Sequence, residues 1–252
     1  MVFRLALMLS ARAFMSSSPK SFMLSELSIM LKFSGSDVPS SRDPGRMLPF
    51  SNDDEEEEEG DAYARHEVMS LPDTLPKVDF MVRVRDESIG GDNPFKWVTF
   101  TSEDYFKGKK VVLFSLPGAF TPTCSTYQLP GFEKNAEEFK KLGIDEIYCL
   151  SVNDSFVMNK WAQAQDLKSV KVIPDGSLKF TNAMNMNVQK DNHGFGQRSW
   201  RYAVVANDMK IEQTFVEPGK CENGSVDDDP YGASSPENIL KYLKGEEFDK
   251  GA

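Results

Sequence analysis

Beyond residue 75 the spacing of apolar residues alternates between two periods, and each switch predicts an element. Residues 111–116 (VVLFSL) form an almost unbroken apolar run with β-branched members. A strand buried on both faces reads this way. Residues 147–152 (IYCLSV) and 202–206 (YAVVA) repeat the pattern. Between the first two, residues 131–142 place Phe132, Ala136 and Phe139 at helical spacing, with Glu133, Lys134, Glu137, Lys140 and Lys141 elsewhere. That spacing predicts an amphipathic helix with its charges outward. Asn153-Asp154 offers a cap to a second helix carrying Val157, Trp161 and Ala164. Ser235 and Pro236 supply a cap and a first-turn proline for a terminal helix reaching Leu243. Strands alternating with helices predict one α/β domain, a mainly parallel central sheet flanked by helices.

The first 74 residues read differently. Arg4, Arg12 and Lys20 occur with no acid before Glu26, and serines cluster at 16–18. Such an Arg- and Ser-rich, acid-poor start predicts an organellar leader, mitochondrial or plastid. Three other readings stay open. Residues 5–9 before Ala11-Arg12-Ala13 have the look of a short secretory h-region, and an untargeted leader would leave the protein cytoplasmic, with Met69 as an alternative start. The expected organisation is a leader with an acidic linker at 1–74, a domain at 75–245 and a tail at 246–252.

Charge and composition narrow the function. The 252-residue chain has a formal net charge of −10, part of it in the run DDEEEEE at 53–59. A nucleic-acid partner is not expected, because it needs a basic face. No apolar run approaches the roughly 20 residues that cross a bilayer, so no membrane partner is expected. Three cysteines are too few and too scattered for a disulfide framework, and two histidines leave no cluster with metal-ligand spacing. Neither metal nor cofactor is expected.

The chemistry concentrates at residues 111–130, VVLFSLPGAFTPTCSTYQLP. The strand ends at Pro117-Gly118, and a loop leads to a helix with Thr121 at its cap and Pro122 at its first position. Cys124 then falls in the first helical turn. Unpaired N–H groups and the helix dipole there favour an anion, hence a thiolate. Disulfide oxidoreductases use C-x-x-C at such a junction, whereas Thr121-Pro122-Thr123-Cys124 puts a hydroxyl where the first thiol stands. One thiolate and one hydroxyl suit a peroxide. The thiolate attacks one oxygen, and Thr121 Oγ accepts the peroxide proton or donates to the leaving oxygen. A cysteine hydrolase wants a histidine base, and His193 is the only one in the domain.

These residues resemble the peroxiredoxin family, whose signature proline-x-x-x-threonine-x-x-cysteine stands here as Pro117, Thr121 and Cys124. The match is to the type II (type 5, atypical) subfamily. PGAFTPTCS, LPGF at 129–132, DEIYCLSVND at 145–154 followed by FVMNKW, and GFGQRSWRY at 194–202 occur in order. The resemblance implies a thioredoxin-like fold, a peroxidatic Cys124 and Thr121 as its hydroxyl partner. It also implies an arginine over the thiolate, which the motif places at Arg198, with Arg201 supporting the site through an ion pair. Pro117 and Thr123 are the implied substrate-binding residues, the Thr123 and Cys124 N–H groups completing an anion cradle.

Attack on peroxide leaves a sulfenic acid that a thiol must reset before further oxidation. Cys149 matches a second cysteine of plant-like members, yet its strand setting also fits an inert thiol. Cys221 precedes the acidic stretch 222–229 and matches no resolving position. The expected reductant is therefore external, glutathione with glutaredoxin first and thioredoxin second. The subfamily resemblance implies a homodimer and an antioxidant role. Two other readings use the same residues: a redox sensor or relay that passes oxidation to a partner, and a binding module with a neutral Cys124.

Overall fold

The structure, a computed structural model, describes residues 71–225 and 228–252. Residues 1–70, which hold nearly all of the expected leader, lie outside the described residues. Nine strands and five α-helices occur among those described. In chain order they are β1 (Asp79–Arg85), β2 (Phe95–Thr101), α1 (Ser102–Phe106), β3 (Lys110–Leu116), α2 (Leu129–Lys141), β4 (Glu146–Ser151), α3 (Ser155–Ala164), β5 (Lys171–Pro174), α4 (Lys179–Ala183), β6 (Asn187–Gln189), β7 (Gln197–Ser199), β8 (Tyr202–Asn207), β9 (Lys210–Val216) and α5 (Pro236–Lys244).

The central sheet has the order β5-β4-β3-β8-β9. Strand β3 pairs in parallel with β4, setting Phe114 opposite Cys149, and β4 pairs in parallel with β5. Alternation along β3 sends Val112, Phe114 and Leu116 to one core and Val111 and Leu113 to the other. Helices α2, α3 and α5 cover the first face through Phe132, Phe139, Trp161 and Ile239. The second face packs on Phe106, Phe180 and Trp200. Both faces are thus covered, which is why β3 and β4 read as continuous apolar runs.

The sheet is mixed rather than mainly parallel in its pairings. Strand β8 runs antiparallel between β3 and β9. A two-residue turn, Asp208-Met209 with φ of 48° and 72°, folds β9 straight back on β8. Both positive φ values belong to a primed hairpin turn, which glycine or asparagine normally announces. Here neither position is glycine, and the run 202–206 gave no hint of direction.

Smaller departures follow from local geometry. Asp154 caps α3, accepting from the N–H groups of Phe156 (2.8 Å) and Val157 (3.0 Å). The buried face of α3 is Ser155, Met158 and Trp161; Ala164 is exposed and Val157 only half-buried. Packing begins before residue 75, since Thr74 bridges to Lys210. At the other end Phe248 packs on Phe215 and Tyr242, and Ala252 N–H donates to the Val216 carbonyl at 2.9 Å. These contacts cover the outer edge of β9, which would otherwise offer free pairing groups.

Candidate active site

Strand β3 delivers the chain to Pro117, and a loop with Phe120 at φ 64° turns it into the next helix. Ser125 N–H donates to the Thr121 carbonyl at 3.0 Å, so the helix is capped at Thr121 and begins at Pro122. Thr123 and Cys124 precede this first bonded amide, which leaves their N–H groups directed beyond the helix end. Residues Cys124–Gln128 form a π-helical turn before α2, the widened geometry often found at functional positions. Cys124 and Gln128, four apart, face the same way and are fully buried. Thr121 Oγ donates to the Gly118 carbonyl at 2.8 Å. With that proton committed, its oxygen offers lone pairs to the cavity beside it. It is therefore set to accept a proton.

The cation at the thiol is Arg201, not Arg198. Arg201 Nη1 donates to Cys124 Sγ at 3.5 Å and also to Gln128 Oε1, and Nη2 pairs with Asp229. Its guanidinium carbon stands 5.8 Å from the Tyr231 ring centroid, and the residue is only 1% exposed. Burial works against the charge of Arg201, but the negative groups of Cys124 and Asp229 outweigh it and raise its pKa. Arg198 instead donates to the Val152 carbonyl at 2.8 Å and lies by the Phe195 ring. Burial lowers its pKa. The reason is geometric: Arg198 lies within β7, paired with Val188, whereas Arg201 stands past the end of that strand, at the bend that leads into β8. Arg201 is the arginine in contact with the thiol itself.

A cavity of about 370 Å³ opens beside this group. Pro117, Thr121, Thr123 and Arg201 contribute to its wall on the Cys124 side. Trp200, Phe195 and Lys190 also line it, and Asp229 and Pro230 come from the loop after β9. Buried Glu217 organises that loop, accepting from Gly232 N–H (2.9 Å), Ser234 N–H (2.8 Å) and Ser234 Oγ (2.7 Å). The Glu217 carbonyl accepts from Trp200 Nε1 at 2.7 Å. One residue therefore ties the cavity wall to the loop carrying Asp229. Glu217 and Asp229 escaped the sequence reading because each reaches the site from far along the chain, and Gln128 because the π-helical turn that aligns it with Cys124 has no sequence signal. In the sequence Asp229 is only the last residue of the acidic stretch 222–229.

Cys149 sits in β4 with no exposed surface, in the same apolar core as Cys124. Burial, joined by the charge of Cys124, pushes its thiol well above the usual range. Cys221 is exposed. A testable consequence concerns stability. The unfolded Cys149 thiol ionises near pH ~8.5 while the folded one keeps its proton, so stability declines as pH rises beyond that point. Cys149→Ala should flatten this decline in urea midpoints taken from about pH 7 to about pH 9.5. An unchanged curve would assign the decline to another group.

Comparison with known proteins follows the same outline. A family model described as Redoxin matches residues 96–229. A peroxiredoxin of Rhizobium etli is 60% identical over 180 residues, covering 71% of this chain and 99% of that protein. The Plasmodium falciparum antioxidant protein, described as a 1-Cys peroxiredoxin, superposes with a TM-score of 0.62 at 36% identity, over 69% of this chain and 99% of its own. Reduced Prx3 of Vibrio vulnificus in complex with H₂O₂ gives a TM-score of 0.57 at 33% identity, over 70% and 96% of the two chains.

Proposed function

The chain belongs to the peroxiredoxin family, with its thioredoxin-like fold, and from that premise we propose that Cys124 reduces hydrogen peroxide and organic hydroperoxides for antioxidant defence. The observation that carries this is the 3.5 Å contact from buried Arg201 to Cys124 Sγ. A guanidinium there stabilises the thiolate, and its Nε–H, which no protein group accepts among the described residues, is left to donate to a peroxide oxygen. The thiolate attacks the outer peroxide oxygen, an S–O bond forms, and the O–O electron pair leaves on the inner oxygen. Thr121 Oγ accepts a hydrogen bond from the hydroperoxide O–H and holds it in place; that proton passes to the leaving oxygen, giving alcohol or water, and the sulfenate left on sulfur takes a proton from solvent. The Thr123 and Cys124 N–H groups face the developing negative charge. Pro117 shapes the cavity wall.

Resetting is assigned to glutathione. The sulfenic acid condenses with one glutathione, losing water, and a second thiol, carried by glutaredoxin or supplied as free glutathione, releases Cys124. Thioredoxin is the second choice. Three observations favour this order: Cys149 is buried within a strand, its thiol holds its proton, and the similar Plasmodium protein is described as 1-Cys. Cys149→Ser should keep turnover with glutathione and glutaredoxin, and mass spectrometry should find glutathione on Cys124. A Cys124–Cys149 disulfide together with lost turnover in the variant would make Cys149 the resolving residue. We further read the segment ahead of residue 71 as an organellar leader before a homodimeric domain. N-terminal sequencing of the mature protein and its mass in solution test these two points.

A further inference from the structure

We propose that Lys190 forms a carboxylate-binding subsite in the cavity beside Cys124, serving an organic molecule that reacts there. The proposal rests on the peroxidase reading above. Lys190 precedes the short turn Asp191–His193, and its backbone is fixed on both sides. Its N–H donates to the Gly196 carbonyl at 2.9 Å, and its carbonyl accepts from His193 and Phe195, each at 3.1 Å. The residue is only 5% exposed, yet it lines the cavity. The ammonium lies 5.1 Å from the centroid of the Trp200 ring, which Glu217 holds in place. Among the described residues no carboxylate or carbonyl accepts from this nitrogen. An aromatic face returns only part of what a buried ammonium loses on leaving water. The missing partner is an anion, and the cavity is where one reaches it.

The other charged and titratable groups around the cavity narrow its nature. Arg201 is engaged by Asp229 and Gln128, so it does not neutralise a second distant charge. Exposed Asp228 also lines the cavity and disfavours a polyanion there. His193 Nδ1 stands 2.8 Å from Asn192 Oδ1. A molecule that brings one carboxylate to Lys190 and lays carbon against Pro117, Phe195 and Pro230 fits best, with any further charged group held out toward solvent. Two reactants carry such a group to Cys124: a hydroperoxy carboxylic acid in the oxidising step, or a carboxylate-bearing thiol in the resetting step.

Single-turnover rates on the full chain separate them. One arm compares the hydroperoxide of linoleic acid with its methyl ester as oxidant. The other compares glutathione with its diethyl ester as the thiol that resolves pre-oxidised Cys124. In at least one arm the wild-type protein should favour the free acid by on the order of tenfold. Lys190→Met should remove that preference and Lys190→Arg should keep most of it. The arm that changes identifies the source of the carboxylate. Each readout is a ratio within one protein, so a partly folded variant does not imitate the effect. Wild-type ratios near unity in both arms overturn the subsite whatever the variants do, and so does a preference that survives in Lys190→Met. If wild-type protein fails to react with hydrogen peroxide at all, the peroxidase reading fails instead.

Discussion

Cys124→Ser should lose peroxide consumption to the uncatalysed background while keeping the fold. The serine oxygen is smaller than sulfur and fits the same fully buried position at the start of the π-helical turn. It stays protonated at neutral pH, and a neutral hydroxyl is a poor nucleophile toward an O–O bond. Arg201 loses one negative neighbour but keeps Asp229 and Gln128, so the site does not leave a naked buried charge. Circular dichroism and urea unfolding close to wild type, with no turnover, is the expected pair of results. Retained turnover would move the nucleophile to Cys149 or Cys221.

Arg201→Met should lower kcat/KM for hydrogen peroxide by on the order of 10²-fold, about 2.7 kcal/mol of transition-state stabilisation. Arg198→Met should change it by less than about threefold, because that side chain is bound to the Val152 carbonyl. The contrast is the useful part, since both arginines lie in one short motif. Methionine at 201 also strands Gln128 and Asp229. Asp229 is 42% exposed at its side chain and can turn to water, whereas Gln128 is fully buried. Arg201→Lys therefore accompanies it: the charge stays, while the fork that holds Cys124, Gln128 and Asp229 together is lost. A rate between those of wild type and Arg201→Met separates the charge from the geometry. Equal losses at positions 198 and 201 would contradict the placement of the two arginines.

How far the sequence carried depends on how local each signal is. Strands β3 and β4, the cap at Asp154 and the terminal helix at Ser235-Pro236 are written within a few residues of where they act. The same holds for Cys124, because strand end, turn, cap and proline lie within one short segment. The arginine assignment required knowing that β7 ends at Ser199 and that the chain bends at Arg201, and a motif lists residues without recording where a strand stops. The antiparallel β8–β9 hairpin hid behind a turn without glycine. Asp229, Glu217 and Lys190 are legible only after the sheet brings the loop following β9 against Trp200 and the Cys124 helix. Long-range closure of this kind leaves no period in a sequence.

The central claim is that the contact between Arg201 and Cys124, rather than solvent exposure, decides which thiol meets peroxide. Exposure alone selects Cys221, the one exposed cysteine of the three. Reduced full-length protein can be given a single equivalent of hydrogen peroxide in the presence of dimedone, which traps sulfenic acid, and the adduct mapped by mass spectrometry. The expected result is an adduct on Cys124 within seconds, with Cys149 and Cys221 unmodified. An adduct on Cys221 with Cys124 still a free thiol would contradict the account.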